Sequence, residues 1–211
     1  MTPRAAHKAA AAESAGDSAV LPDDAVQADT RKAWRAWLTR HHAQAEGIWL
    51  VMWKKASGRA RLSYAEAVEE ALCFGWIDSR PNALDGDRSL LRFAPRKAGT
   101  GWSRLNKQRV EQAMADGRMA TAGRAKVDAA KADGSWSALD AVEALEIPPD
   151  LREALHARGP AAANFEAFPR SVKRSILEWI GNAKRAATRA ERIKTSADMA
   201  ALNQRANQWR Q

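Results

Sequence analysis

The chain has 211 residues, a formal net charge of +9 and 45% apolar residues, which is enough for one ordinary domain or for a core domain with a helical appendage. Its single cysteine excludes an internal disulfide framework and any multi-cysteine zinc site, and no run approaches the ~18 to 20 apolar residues of a membrane span. Alanine, leucine and arginine outweigh β-branched residues, which favours helix, while nine tryptophans against one tyrosine supply rings suited both to core filling and to stacking on flat ligands.

Residues 1–29 are rich in alanine, serine and acids without sustained periodicity and read as a mobile leader of net charge −3, two bases against five acids. The stretch AAHKAAAAESAGDSAV is interrupted by Lys8, Glu13 and Asp17, so it lacks the apolar core of a secretion signal, and cytoplasmic residence is the expectation. Thr30 is placed to cap a helix with Trp34, Trp37, Leu38 and His41 at helical spacing, which turns two tryptophans toward the core. Gly47 ends that helix, and the apolar run Ile48 to Trp53 predicts a strand covered on both faces.

Ser63 and Glu66 have capping-box spacing and open a helix whose inner face is Tyr64, Val68, Ala71 and Leu72. Gly75 breaks it in a left-handed conformation, and Cys73 just before reads as a buried, inert thiol. Trp76–Ser79 and Leu90–Ala94 are short strands joined through Asp85-Gly86, giving a sheet of about three strands. Ser103 caps a helix that runs to about Asp116 and is ended by Gly117.

A helix over Thr121–Ala132 follows, then a connector over Ser135–Glu146, then short helices around Leu151–Leu155 and Asn164–Phe168. The longest helix is expected from Pro169 or Arg170 to about Lys194, with the apolar stripe Val172, Ile176, Ile180, Ala183 and Ala187, and a last short helix over residues 197–207. These elements define an α+β protein: a leader (1–29), a core domain (30–135) in which a small sheet of about three strands packs with helices, and a helical C-terminal region (136–211).

No phosphate-binding glycine loop, metalloprotease, Cys-x-x-Cys or nucleophile-elbow motif occurs, so no cofactor, metal or catalytic residue is expected from motifs. The adjacent His41 and His42 project about 100° apart on a helix and make a poor chelate. Charge is concentrated in two windows: Arg88 to Lys126 has ten bases and two acids (+8), and Arg170 to Lys194 has eight bases and two acids (+6). Such fields attract anions, whether small phosphorylated molecules or nucleic acid.

Three places in these windows and beside them combine the residue types a ligand needs. Strand alternation sends Trp76 and Asp78 to one face, where Asp78 either forms a salt bridge with Arg80, Arg92 or Arg96 or faces a ligand. Arg96 and Lys97 precede a glycine-flanked loop and the helix start at Trp102-Ser103, the ingredients of an anion site, with Trp102 as a stacking surface and Asn106 one turn on. Lys184, Thr188 and Arg192, spaced by four, make a polar ridge with Arg185 and Arg189 beside it. Two functions are open on these grounds: binding of a small anionic or aromatic ligand, and binding of nucleic acid by the basic windows. An enzyme using Asp78 as acid or base is a third class, with no partner group visible.

The strings ALCFGWIDS, RFAPRK, GWSRLN and WIGNAKRAATRAERI resemble the YdeI/OmpD-associated family, also called bacteriocin-protection proteins, over about residues 31–195. The resemblance implies protection against bacteriocins or cationic antimicrobial peptides and association with an outer-membrane porin, and it brings no common enzymatic activity. By motif it carries over Trp76, Asp78, Pro95, Arg96, Lys97, Trp102, Ser103 and Asn106, and Ala183, Lys184, Thr188, Arg189 and Arg192. Gly99-Thr100-Gly101 departs from the family pattern, where serine is more usual just before the tryptophan.

Overall fold

A computed structural model describes residues 20–59 and 61–208, so residues 1–19 of the expected leader and the last three residues lie outside the description. The chain divides into two compact units, residues 1–71 with 76–95, and residues 72–75 with 96–211. Among the described residues there are four strands and nine α-helices, an α+β protein.

The first unit opens with β1 (Ala25–Gln27), α1 (Arg31–His41) and β2 (Ile48–Trp53), a β-α-β arrangement in which β1 and β2 run parallel with Val26 opposite Leu50. β4 (Arg88–Pro95) pairs antiparallel with β2, and β3 (Trp76–Ala83) pairs antiparallel with β4, for a sheet order β1-β2-β4-β3. The sheet therefore has four strands where about three are expected. The additional one, β1, lies in the stretch read as leader; three residues carry no period, and what orders them is pairing with β2. β3 runs on through Pro81 because it is an edge strand, where a missing backbone N–H breaks no ladder, and its register shifts between Asp78 and Pro81.

Thr30 caps α1 as expected, its hydroxyl accepting the Ala33 N–H at 3.1 Å. Trp34 and Leu38 are fully buried, and the Trp34 indole donates to the Ala67 carbonyl of α2 (Tyr64–Cys73) at 3.0 Å. Trp37 is half-buried and stacks on Trp34, and His41 at the end of the row is exposed. The capping box at Ser63 and Glu66 forms in both directions, at 2.9 and 3.3 Å. Glu70, 1% exposed, pairs with both Arg31 and Arg35, a buried carboxylate held by two cations. Tyr64 is 51% exposed rather than inward-facing, because the phenol turns out to donate to Asp78.

In the second unit, Gly75 ends α2 with φ +77, and α3 (Arg104–Ala115) and α4 (Thr121–Ala132) follow. Ser103 caps α3 through the Asn106 N–H. The start of α4 docks on the end of α2: Ala120 N–H donates to the Cys73 carbonyl at 3.0 Å, and a Cβ on Gly123 would lie 2.2 Å from that oxygen. The expected connector over Ser135–Glu146 contains a single helical turn, α5 (Asp140–Glu143).

Four helices, α6 (Pro149–His156), α7 (Ala161–Ala167), α8 (Arg170–Gly181) and α9 (Ala186–Ala201), enclose a core that includes Leu151, Leu155, Phe165, Ile176, Ile180 and Ile193. The single long helix expected from Arg170 to Lys194 is thus two helices. Asn182 is the C-cap of α8, and Arg185 is extended (φ −110, ψ 141) as the N-cap of α9. Both helices bury apolar faces in one cluster, but the expected stripe stops at Ile180: Ala183 is part-buried, Ala187 is exposed, and α9 contributes Ile193, Ala197 and Ala200 instead. α9 also takes in residues 197–201 of the helix expected at 197–207.

Gly123→Ala is expected to destabilise the protein by about 3 kcal/mol, since the added methyl meets backbone that cannot rotate away. Gly181→Ala, whose methyl would meet nothing, should leave stability unchanged or slightly raised. Urea unfolding of the two variants side by side checks this.

Candidate functional site

The sequence-selected residues fall in both units. In the first, Trp76 is fully buried; its indole donates to the His42 carbonyl at 2.9 Å, and its edge meets Trp37. Asp78, read as either salt-bridged to an arginine or facing a ligand, accepts the Tyr64 hydroxyl at 2.7 Å. The arginines are otherwise engaged: Arg92 pairs with Asp24 and Arg80 lies over the Trp49 ring.

In the second unit the polar groups gather around Arg96. This side chain is 4% exposed and has no acidic partner among the described residues. Its guanidinium lies 3.8 Å from the centre of the Trp102 ring, and Nη2 donates to the carbonyls of Thr100 (3.1 Å) and Gly101 (2.5 Å). Nε is buried with no partner. Burial pushes the Arg96 guanidinium down to about 10, so it remains a cation at neutral pH.

Trp102 is 1% exposed, flanked by Arg96 and by Trp136 at 5.0 Å, so the ring expected to stack on a ligand is occupied from within the protein. Trp136 in turn lies near Lys107 and Lys131, each ammonium 5.4 Å from the ring. Ser103 is used as the cap of α3, and the Asn106 side-chain oxygen accepts from Arg109 at 3.1 Å. Lys97 is exposed.

The loop after Lys97 is tied at three points. Thr100 Oγ1 donates to the Lys97 carbonyl, Arg96 holds the Thr100 and Gly101 carbonyls, and the Gly99 N–H donates to Asp133 Oδ2 at 3.2 Å. Asp133 also accepts from Ser135, and these hydrogen bonds hold its carboxyl below the usual 3.8. Gly99 has φ +71, and Gly101 comes so close to Leu139 that a Cβ would lie 2.8 Å from its Cγ.

The ridge of the last basic window is divided by the helix break. Lys184 lies before α9 and is exposed, whereas Thr188, Arg189 and Arg192 are on α9 and part-buried. Arg189 grips Asp150 with two nitrogens at 2.8 and 3.0 Å, which raises the arginine and lowers the carboxyl. Arg192 lies 5.1 Å over the Trp179 ring and donates to the Trp179 carbonyl.

The two windows nevertheless reach one place. Gly99, Thr100 and Gly101 line a cleft of about 420 Å³ together with Ala138, Leu139, Val142, Glu178, Gly181 and Asn182. Leu139, Glu178 and Asn182 were not among the residues selected from the sequence; the signal for Asn182 was present as the Gly-Asn helix stop within WIGNAKR. Among the described residues no group of three or more His, Cys, Asp or Glu is placed to hold a metal ion.

The chain thus holds a sheet-and-helix unit and a helical unit with a buried cation beside a glycine loop. Residues 26–126 match a family model described as Domain of unknown function (DUF8412), which covers the strings from ALCFGWIDS to GWSRLN. Residues 144–203, which include WIGNAKRAATRAERI, match the model described as Bacteriocin-protection, YdeI or OmpD-Associated. No curated protein and no solved structure matches the chain.

Because Asp133 titrates below 3.8, its tie to Gly99 is present above that pH and lost as pH falls through the lowered value. The Gly99 and Ser135 amide resonances are expected to titrate together with a midpoint under 3.8, and Asp133→Asn should abolish that transition.

Proposed function

We propose that this protein is a non-enzymatic bacterial stress or bacteriocin-protection protein that binds a small anionic or aromatic ligand in the cleft between the 97–101 loop and the turn after α8. The observation that carries this reading is that the 99–101 loop and the end of α8 line one cleft of about 420 Å³, within the roughly 300 to 1,000 Å³ of small-ligand sites, whose charged lining residue, Glu178, is paired with Arg174. Lys97 and Lys184, each two residues along the chain from lining residues, are exposed and form no ion pair among the described residues, so their charge is available to a ligand. Thr100 and Asn182 add a hydroxyl and an amide to the lining. Arg96 contributes by fixing the loop through the Thr100 and Gly101 carbonyls.

Nucleic-acid binding ranks second, because much of the basic charge is already engaged: Arg174 with Glu143 and Glu178, Lys173 with Glu166, Arg189 with Asp150, Lys107 with Asp140. The porin association implied by the family resemblance belongs to this proposal as a partner to be sought by co-purification; no helix among the described residues is long and apolar enough to cross a membrane.

Thermal-shift screening of small carboxylates, phosphates and aromatic acids is expected to find stabilising ligands whose effect is lost in the Asn182→Ala, Lys184→Ala double variant while the unliganded Tm is unchanged. Hits that bind the double variant equally well would overturn the cleft assignment. Labelled single-stranded DNA or RNA held at physiological salt would put nucleic acid first.

A further inference from the structure

Beside the cleft, and sharing only Gly99 with it, is a smaller pocket of about 60 Å³ lined by Arg96, Lys97, Trp102, Lys126, Asp133 and Ser135 among others. That volume is well above the roughly 10 to 15 Å³ that admits one water, and well below what an organic ligand of ordinary size fills. Three cations, Arg96, Lys97 and Lys126, face one carboxylate, Asp133. The carboxylate is already committed to the Gly99 and Ser135 N–H groups, and Lys126 forms no ion pair among the described residues.

The Arg96 side chain is more than nine-tenths buried, forms no ion pair among the described residues, and keeps one N–H donor with no acceptor. A buried charge in that condition is unfavourable unless something compensates it. An anion in the pocket would compensate that charge.

We propose that the pocket formed by Arg96, Lys97 and Lys126 is a binding site for one small inorganic anion, of chloride to phosphate size, with Arg96 as its buried cation. The anion sits under the loop that Arg96 fastens, so its binding orders residues 97–101 from the inside. The site shares Lys97 and the loop-fixing Arg96 with the proposed cleft, and Lys126 and Lys184 distinguish the two.

The test is a titration of full-length protein, with arginine side chains ¹⁵N-labelled, against chloride, nitrate and inorganic phosphate, ionic strength being held constant with gluconate. One arginine Nε–H, assigned to Arg96 by its loss in Arg96→Gln, is expected to shift saturably with at least one of the three anions, and Tm should rise in parallel. Lys126→Gln, which keeps most of the stem that packs on Gly75, should weaken the effect at least tenfold, and Lys184→Ala should leave it intact. If Arg96→Gln does not fold, the Tm response of wild type against Lys126→Gln decides alone. A response that never saturates, that is shared by all arginines, or that Lys126→Gln retains at full strength would overturn the site and leave the pocket to water. Loss in Lys184→Ala together with retention in Lys126→Gln would move the anion to the cleft.

Discussion

The polar side of the second unit depends on one buried cation. Arg96 is enclosed without an ion pair among the described residues, and two things hold it: the face of Trp102 and two loop carbonyls. The carbonyls are the informative part. To present the oxygens of consecutive residues Thr100 and Gly101 to one guanidinium, the loop must fold back, which the positive φ of Gly99 permits and the close approach of Gly101 to Leu139 completes. The wall of the cleft is therefore a consequence of where a single charge is buried.

The basic excess has a different meaning in the folded chain from the one it has in the sequence. Arg189, Arg174, Lys173 and Lys107 spend their charge on acids brought in from α5, α6, α7 and α8, and Arg192 lies against Trp179. What is left near the loop is small and local: Lys97, Lys126 and Lys184. The proposed small-anion reading draws on these cations, whereas an extended polyanion needs a continuous track of charge.

The tryptophans follow the same logic. Trp34, Trp76 and Trp102 are buried, and Trp49, Trp53, Trp102, Trp136 and Trp179 each have an arginine or lysine near the ring. Composition alone leaves core filling and ligand stacking open. In the fold, cation–π contact to the protein's own bases accounts for many of the rings, and Trp102, selected as a ligand platform, is one of them.

Sequence by itself determined the features whose causes lie within a few residues. The caps at Thr30, Ser63 and Ser103, the left-handed stop at Gly75, the apolar strand Ile48–Trp53 and the α+β class are all readable because a cap, a turn or a period is complete in a short window. Tertiary structure decided the rest. β1 exists only as a partner of β2; the helix breaks between α8 and α9, which share one core cluster; Asp78 meets Tyr64. The candidate site depended on tertiary structure most of all. Whether a lysine or arginine is free or spent is settled by acids tens of residues away, and whether Arg96 is solvated or buried by helices that follow it, so neither is written in the local pattern.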